Sequence, residues 1–199
     1  MRRIKRISAW ILTLAILLTL TVPALAASGV QNEVQGSAAY MVSAVKAPEV
    51  GSIGGEWAII GLARSGYAVP ANYYEDYYAR VEKYVKDCAG VLHERKYTEY
   101  SRVVLALTAI GRDPANVAGY NLLAPLADYD AATQPGVTSA AYVLLALDCG
   151  NYEIPTVEEG KTQATRPMYV DFMLGQQLSD GGWAIGSEEA DPDVTAMVL

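Results

Sequence analysis

Short apolar segments recur along the chain at a nearly constant interval, and each complete copy ends at a glycine. The copies are Ile60–Gly66, Leu105–Gly111 and Leu145–Gly150, and Thr195–Leu199 begins in the same way. Their anchor leucines, Leu62, Leu107 and Leu147, stand 45 and then 40 residues apart. Strand-like alternation of apolar and polar residues is nearly absent. Self-similarity at this period indicates stacked helix pairs.

A second kind of helix, polar on one side, alternates with the apolar segments. The clearest example covers 73–87, where apolar and aromatic residues recur at spacings of three and four: Tyr73, Tyr77, Val81, Tyr84 and Cys88. Asn72 and Glu75 have the spacing of a capping box at its start. The tyrosines indicate packing at the edge of a core, although such a stripe can also be a binding surface. Because an apolar helix has to be surrounded, the alternation predicts an all-α fold with inner and outer helix layers, an α/α barrel or solenoid.

Two Asp-Pro pairs predict helix starts, since Asp accepts hydrogen bonds from free amides and Pro lacks an amide at the first helical position. Asp113–Pro114 predicts a helix that ends near Ala127, and Asp191–Pro192 predicts the start of the last helix. The sequence stops at Leu199 without a glycine or cap. We therefore expect a longer natural protein, of which these residues form about four helix pairs of an incomplete ring.

The first 27 residues have the pattern of a secretory signal peptide. Four cations lie within Met1–Arg6, an apolar run covers Ile7–Val22, and Ala24-Leu25-Ala26-Ala27 suits signal peptidase. The run is shorter than the roughly 20 residues that span a bilayer, so no transmembrane segment is expected after cleavage. Residues 28–36 are predicted to be a flexible tether and 37–199 the folded domain. The expected location is secreted or cell-surface.

Composition excludes several classes of function. Without the signal the chain keeps 11 basic residues against 22 acidic ones, a net charge of about −11, so it repels nucleic-acid phosphates. Cys88 and Cys149 leave a disulfide open as one alternative and simple packing as the other. His93 is the one histidine, in a polar segment, so neither a metal site nor a hydrolase triad is expected.

One motif carries a family resemblance. Gln177-Leu178-Ser179-Asp180-Gly181-Gly182-Trp183, with Phe172 five places before the glutamine, has the form Gln-x-x-x-Gly-x-Trp. It resembles the QW repeat of the prenyltransferase and squalene cyclase superfamily, and Gly55-Glu56-Trp57 looks like a worn copy without the glutamine. The resemblance implies an α/α toroid, in which the Trp ring covers the Gln amide and the glycines reverse the chain. This repeat is structural rather than catalytic.

The same resemblance suggests one candidate catalytic residue. Squalene-hopene-type cyclases protonate an alkene with the middle acid of Asp-x-Asp-Asp-Thr-Ala, and the matching run here is Asp191-Pro192-Asp193-Val194-Thr195-Ala196. Asp193 would stand at the proton donor, while Val194 replaces the neighbouring carboxylate on which a strong acid depends. The alternative interpretation is that Asp191 caps a helix and Asp193 favours its dipole.

The other branches of this superfamily supply the remaining expectations. The zinc ligands of protein prenyltransferases and the Cys-Gly-Glu-Gln thioester motif are missing from the sequence. The chain is therefore predicted to be a bacterial exported, non-catalytic module that binds a small-molecule or cell-surface ligand or serves as a scaffold. It is distantly similar to secreted cobalamin carriers, which makes cobalamin a candidate carried ligand, with no catalytic cofactor expected. A cyclase-like enzyme with Asp193 as general acid is the alternative.

Overall fold

The computed structural model describes residues 29–52 and 54–199, and within these ranges the fold is all-α, as predicted. The regular elements are eight α-helices and a short 3-10 helix, accompanied by two isolated β-bridges. The helices are α1 (29–44), α2 (Glu56–Ser65), α3 (Tyr73–Asp87), α4 (Tyr97–Ala109), α5 (Tyr129–Thr133), α6 (Val137–Asp148), α7 (Arg166–Gly175) and α8 (Pro192–Val198), with the 3-10 helix at Ala124–Ala127.

The apolar helices lie side by side in chain order. Helix α2 contacts α4, α4 contacts α6, and α6 contacts α8. The leucines that repeat in the sequence, Leu62, Leu107 and Leu147, are all buried in the common core. These helices are not surrounded on every side, however, because Trp57 of α2 and Leu145 of α6 remain 42% and 47% exposed. The row of α2, α4, α6 and α8 thus buries one face and leaves part of another in solvent.

Helix α3 packs through the predicted stripe of apolar and aromatic residues, but both ends of the helix differ from the prediction. Tyr73, Tyr77 and Val81 are buried, and Val85 takes the next buried position, whereas Tyr84 is largely exposed. The predicted capping box is wrong: Asn72 has a φ of +65° and its side chain makes no capping hydrogen bond. Asparagine tolerates this left-handed conformation, in which it turns the backbone into the helix instead of capping it.

The helix predicted from Asp113 to Ala127 is wrong. Asp113 does accept the Ala115 amide (2.8 Å), but the chain then forms a tight reversal in which Val117 and Tyr120 exchange two backbone hydrogen bonds of 2.9 Å. Ala118 and Gly119 both have positive φ at the centre of this reversal, as a two-residue hairpin turn requires. A local start signal cannot propagate a helix through such a turn.

The segment predicted to be a tether is helical from residue 29 onward, as part of α1. Ala38 of α1 is buried, the Gln35 amide donates to the Ser65 carbonyl (3.1 Å), and Met41 lies against Gly61. Of the residues predicted to form the tether, Gln35 makes this contact with α2, while residues 29–34 are exposed. The predicted signal peptide lies outside the described residues. Within 29–52 and 54–199, no helix is long and apolar enough to cross a membrane.

Candidate functional site

Trp183 of the repeat motif is a structural anchor. Its side chain is 4% exposed, and its indole Nε1 donates to the carbonyl of Met173 in α7 (2.6 Å). Its backbone amide donates to Oγ1 of Thr195 in α8 (2.9 Å). The tryptophan therefore joins the end of one helix to the next, which agrees with a structural role for the motif.

The rest of the motif forms the turn that presents this tryptophan. The Gln177 side chain is exposed, and its amide donates to the Gly181 carbonyl (2.7 Å). The glutamine thus closes the turn that precedes Trp183. Gly181 has a φ of +92°, and Phe172 packs edge-on against Tyr129 with ring centroids 6.5 Å apart. Trp57, in the incomplete copy of the motif, is exposed, and its ring centroid lies 6.0 Å from that of Tyr142. It has no comparable anchoring contact in the described structure.

Asp191 acts as a helix cap. Its Oδ1 accepts the amides of Asp193 (2.8 Å) and Val194 (2.9 Å), so it satisfies two free donors at the start of α8. Asp193 lies in the exposed first turn of this helix. An acid that protonates an alkene has to be shielded from water, and these positions favour the capping interpretation of the pair.

The two cysteines and the single histidine are the remaining candidate residues from the sequence. Cys88 and Cys149 are free, half-buried thiols, and burial raises the pKa of the Cys149 thiol. Nδ1 of His93 accepts the backbone amides of Arg95 (3.0 Å) and Lys96 (3.1 Å), which orders the turn before α4. The described residues contain no group of three His, Cys, Asp or Glu that could hold a metal ion.

A polar cleft of about 350 Å³ lies where loops that precede and follow the apolar helices meet, and we call it the tyrosine cleft. Three tyrosines contribute to its wall: Tyr97, Tyr100 and Tyr120. The polar side chains at its surface are His93, Glu94, Asn121, Asp128, Thr156, Glu158 and Lys161. Its volume is within the range of small-molecule sites, and it combines aromatic surface with a few convergent polar groups.

Charged groups at the tyrosine cleft are arranged around the Lys161 ammonium. Lys161 Nζ lies 3.1 Å from Glu158 Oε2 and 3.8 Å from Asp128 Oδ2. The hydrogen bond that Lys161 donates to Glu158, together with the charges of both acids, raises the pKa of Lys161. Burial, and then the nearby Asp128 carboxylate, raise the pKa of Tyr97, which keeps its hydroxyl protonated. The cleft therefore presents carboxylates, a neutral phenol and one ammonium.

Two local features of the backbone shape the cleft. Gly90 has a φ of +81°, and a Cβ there would lie 2.5 Å from the Tyr120 ring. Asp128 accepts the Ala131 amide (3.3 Å) as the cap of α5 and forms a β-bridge with Gln163. Sequence patterns do not mark these residues as one site, because they come from the start of α4, the 3-10 helix and the loops around them, which share no motif. The glycine next to the tyrosine-rich segments is the one signal that could have indicated a close approach.

A buried polar cluster lies beneath the loop 45–55. Glu56 is fully buried at the start of α2, where its Oε1 accepts the Gly51 amide (2.8 Å). Its Oε2 lies 3.9 Å from Nε of Arg102, which also pairs with Glu99 (2.5 Å). Oε2 of Glu56, the hydroxyl of Tyr77 and Nε of Arg102 have no hydrogen-bond partner in the described structure. Burial raises the pKa of Glu56 and of Tyr77.

A second groove, of about 620 Å³, lies between α1 and α2. Its lining consists of small and apolar residues such as Val34, Ala38 and Met41, with Glu33 as its charged member. Because it offers few polar groups to orient a ligand and adjoins residues outside the described range, the tyrosine cleft is the stronger candidate site.

Comparison with protein-family models, curated proteins and solved structures finds no match to this chain. The resemblance to the QW repeat is therefore carried by the motif from Gln177 to Trp183 and by the order of the helices alone.

Proposed function

We propose that the chain is an exported, non-catalytic α/α toroid module that binds a small-molecule or cell-surface ligand in the tyrosine cleft. The observation that carries the binding function is the cleft itself, with three tyrosines and several polar side chains around about 350 Å³. Tyrosines give a rigid surface with a hydroxyl at its edge, which suits recognition more than chemistry.

The order of helix contacts supports the toroid. Apolar helices that neighbour one another in the order α2, α4, α6 and α8 are the expected inner members of helix pairs, with the amphipathic helix α3 and the helix α7 as outer members. Trp183 fastens an outer helix, α7, to the following inner helix, α8. A further repeat would continue the same arrangement on either edge.

The absence of a shielded acid at the cyclase-like run supports a binding role over the alternative enzyme. Asp193 is exposed, and the neighbouring Asp191 is engaged with backbone amides. Such a carboxylate is not shielded from water, and Val194 stands where the cyclase motif has a second carboxylate. The cyclase-like enzyme therefore has less support than the binding module.

The test is a calorimetric titration of the exported protein with cobalamin, related corrinoids and a panel of small polar metabolites. Tyr97→Leu alters the tyrosine cleft, and Asp193→Asn alters the cyclase-like run as its matched control. We expect a ligand whose affinity falls in the Tyr97 variant and is unchanged in the Asp193 variant. Turnover of a polyprene substrate that is abolished by Asp193→Asn would overturn the proposal in favour of the enzyme.

Export has its own test. We expect expression of the full sequence in a bacterial host to yield an extracytoplasmic protein whose first residue, read by mass spectrometry, is Ala27 or Ser28. An unprocessed protein retained in the cytoplasm would contradict the proposed location without affecting the cleft.

A further inference from the structure

The charge of the tyrosine cleft selects among possible ligands. Three carboxylates line it, Glu94, Asp128 and Glu158, against the single ammonium of Lys161. The chain as a whole is also acidic. An anionic ligand would meet repulsion both at a distance and on contact, whereas a cation would be attracted.

The aromatic wall favours a particular kind of cation. The half-buried rings of Tyr97 and Tyr120 line the cleft, while Tyr100, which is 3% exposed, packs against Tyr97 with ring centroids 5.8 Å apart. Ring faces attract an ammonium group through their quadrupole, and several of them together are the usual way proteins hold alkylated ammonium ions. A small inorganic cation would instead require a shell of oxygen ligands, and the described residues contain no group suited to a metal ion.

The cleft already contains an ammonium from its own chain. Nζ of Lys161 lies 3.1 Å from Glu158 and 3.8 Å from Asp128. The Lys161 side chain is 46% exposed, so its ion pairs are screened by water and contribute little. An external ammonium could therefore take the place of this group without a large cost.

Hydrogen bonds hold the backbone of the loop around Lys161 in position. Thr162 next to it donates to Asp130 Oδ2 (2.6 Å), and its carbonyl accepts the Tyr129 amide (3.0 Å). Ala164 donates to the Ala127 carbonyl (2.8 Å). The loop is anchored on α5 and the 3-10 helix, so only the Lys161 side chain has to move.

We propose that the tyrosine cleft binds an alkylammonium group, and that Lys161, which pairs with Glu158 and Asp128 in the free protein, competes with the ligand for these carboxylates. This inference rests on the proposed binding function and specifies the chemistry of its ligand. Free organic amines and methylated ammonium compounds are the ligand class.

The experiment uses tetramethylammonium chloride as the probe and tert-butanol as an uncharged compound of similar shape. Binding to the full-length exported protein is followed by the amide NMR shifts of residues 89–97, 120–128 and 156–161. We expect saturable shifts in these loops with tetramethylammonium, none with tert-butanol at the same concentration, and weakening by added salt.

The variants test the roles of Lys161 and Tyr97 separately. Lys161→Ala removes the internal competitor and should tighten tetramethylammonium binding by at least about threefold, while Tyr97→Leu should weaken it by a similar factor and Tyr97→Phe should leave it nearly unchanged. Lys83→Ala is the control, because it removes a more exposed lysine (76% against 46%) from an ion pair with Asp87 on α3, outside the cleft.

Equal tightening by Lys161→Ala and Lys83→Ala would show a general charge effect and overturn the competition by Lys161. Equal shifts with tert-butanol, or shifts outside the three loops, would overturn the ammonium site. If another ligand from the calorimetric panel binds the cleft while tetramethylammonium does not, the ammonium inference fails and the proposed binding function stands. If tetramethylammonium binds as described, both are supported.

Discussion

Replacing Trp183 tests whether the repeat motif holds the fold together. The indole is 4% exposed, and its N–H donates to the Met173 carbonyl at 2.6 Å. Truncation to alanine removes a buried aromatic ring and leaves a cavity, which costs about 3–5 kcal/mol. For a folded region of this size each kcal/mol shifts the melting temperature by about 2–4 °C, so we expect a loss of roughly 10 °C.

Two further variants separate the ring from its hydrogen bond. Trp183→Phe keeps most of the ring and loses the donor, but the Met173 carbonyl still accepts the Gln176 amide (3.0 Å), so the cost should be only about 1–2 kcal/mol. Trp57→Ala is the matched control, because Trp57 is 42% exposed and occupies the worn copy of the motif. Its cost should stay below about 1 kcal/mol.

The assay is thermal and urea unfolding of the three variants, followed by circular dichroism. The expected order of destabilisation is Trp183→Ala, then Trp183→Phe, then Trp57→Ala. Equal melting temperatures for Trp183→Ala and Trp57→Ala would refute the structural account of the motif, since the two differ in burial and in the indole hydrogen bond.

Three other changes probe the remaining features. Burial raises the folded-state pKa of Glu56 above its ordinary value of 4.5. The stability that comes from its protonation is therefore present below pH 4.5 and is lost as the pH rises through the raised pKa. Glu56→Gln should flatten the pH dependence of the urea midpoint above about pH 5. Gly90→Ala places a Cβ 2.5 Å from the Tyr120 ring at positive φ and should lower the free energy of unfolding by about 1–3 kcal/mol in urea titrations. Asp191→Ala removes a helix cap and should cost about 1 kcal/mol by the same measurement, whereas Asp193→Ala should cost less than about 0.5.

The apolar helices were predictable because their signal is local and periodic. The spacing of Leu62, Leu107 and Leu147 identified three buried positions that the structure confirms. The cap at Asp191 was predictable for the same reason, since the residues that satisfy a helix start are its immediate neighbours. By contrast, Asp113 carries the same signal and fails, because Ala118 and Gly119 turn the chain back a few residues later.

Other features depend on contacts between residues far apart in the sequence, which local patterns do not show. Residues 29–36 have no periodic signal of their own, yet they are helical as the first part of α1, where Gln35 donates to the Ser65 carbonyl at the end of α2. Glu56 is indistinguishable in the sequence from an acidic residue in the exposed first turn of a helix, yet it is fully buried. Its burial follows from the loop before α2, whose Gly51 amide donates to its carboxylate, and from Arg102 on α4.

The tyrosine cleft could not be predicted because it has no periodic local pattern and depends on contacts between residues far apart in the sequence. Most of its residues lie in the loops between helices, and Tyr97 and Tyr100 lie in the first turn of α4, so the repeated apolar segments carry no information about them. Tyr97, Asp128 and Lys161 meet because the row of apolar helices brings the start of α4 and these loops together. In a repeat protein the conserved spacing of helices serves packing, and a ligand site is expected where the loops between them diverge. That is why the motif from Gln177 to Trp183 supports a fold, whereas Tyr97 and Lys161, which belong to no motif, support a function.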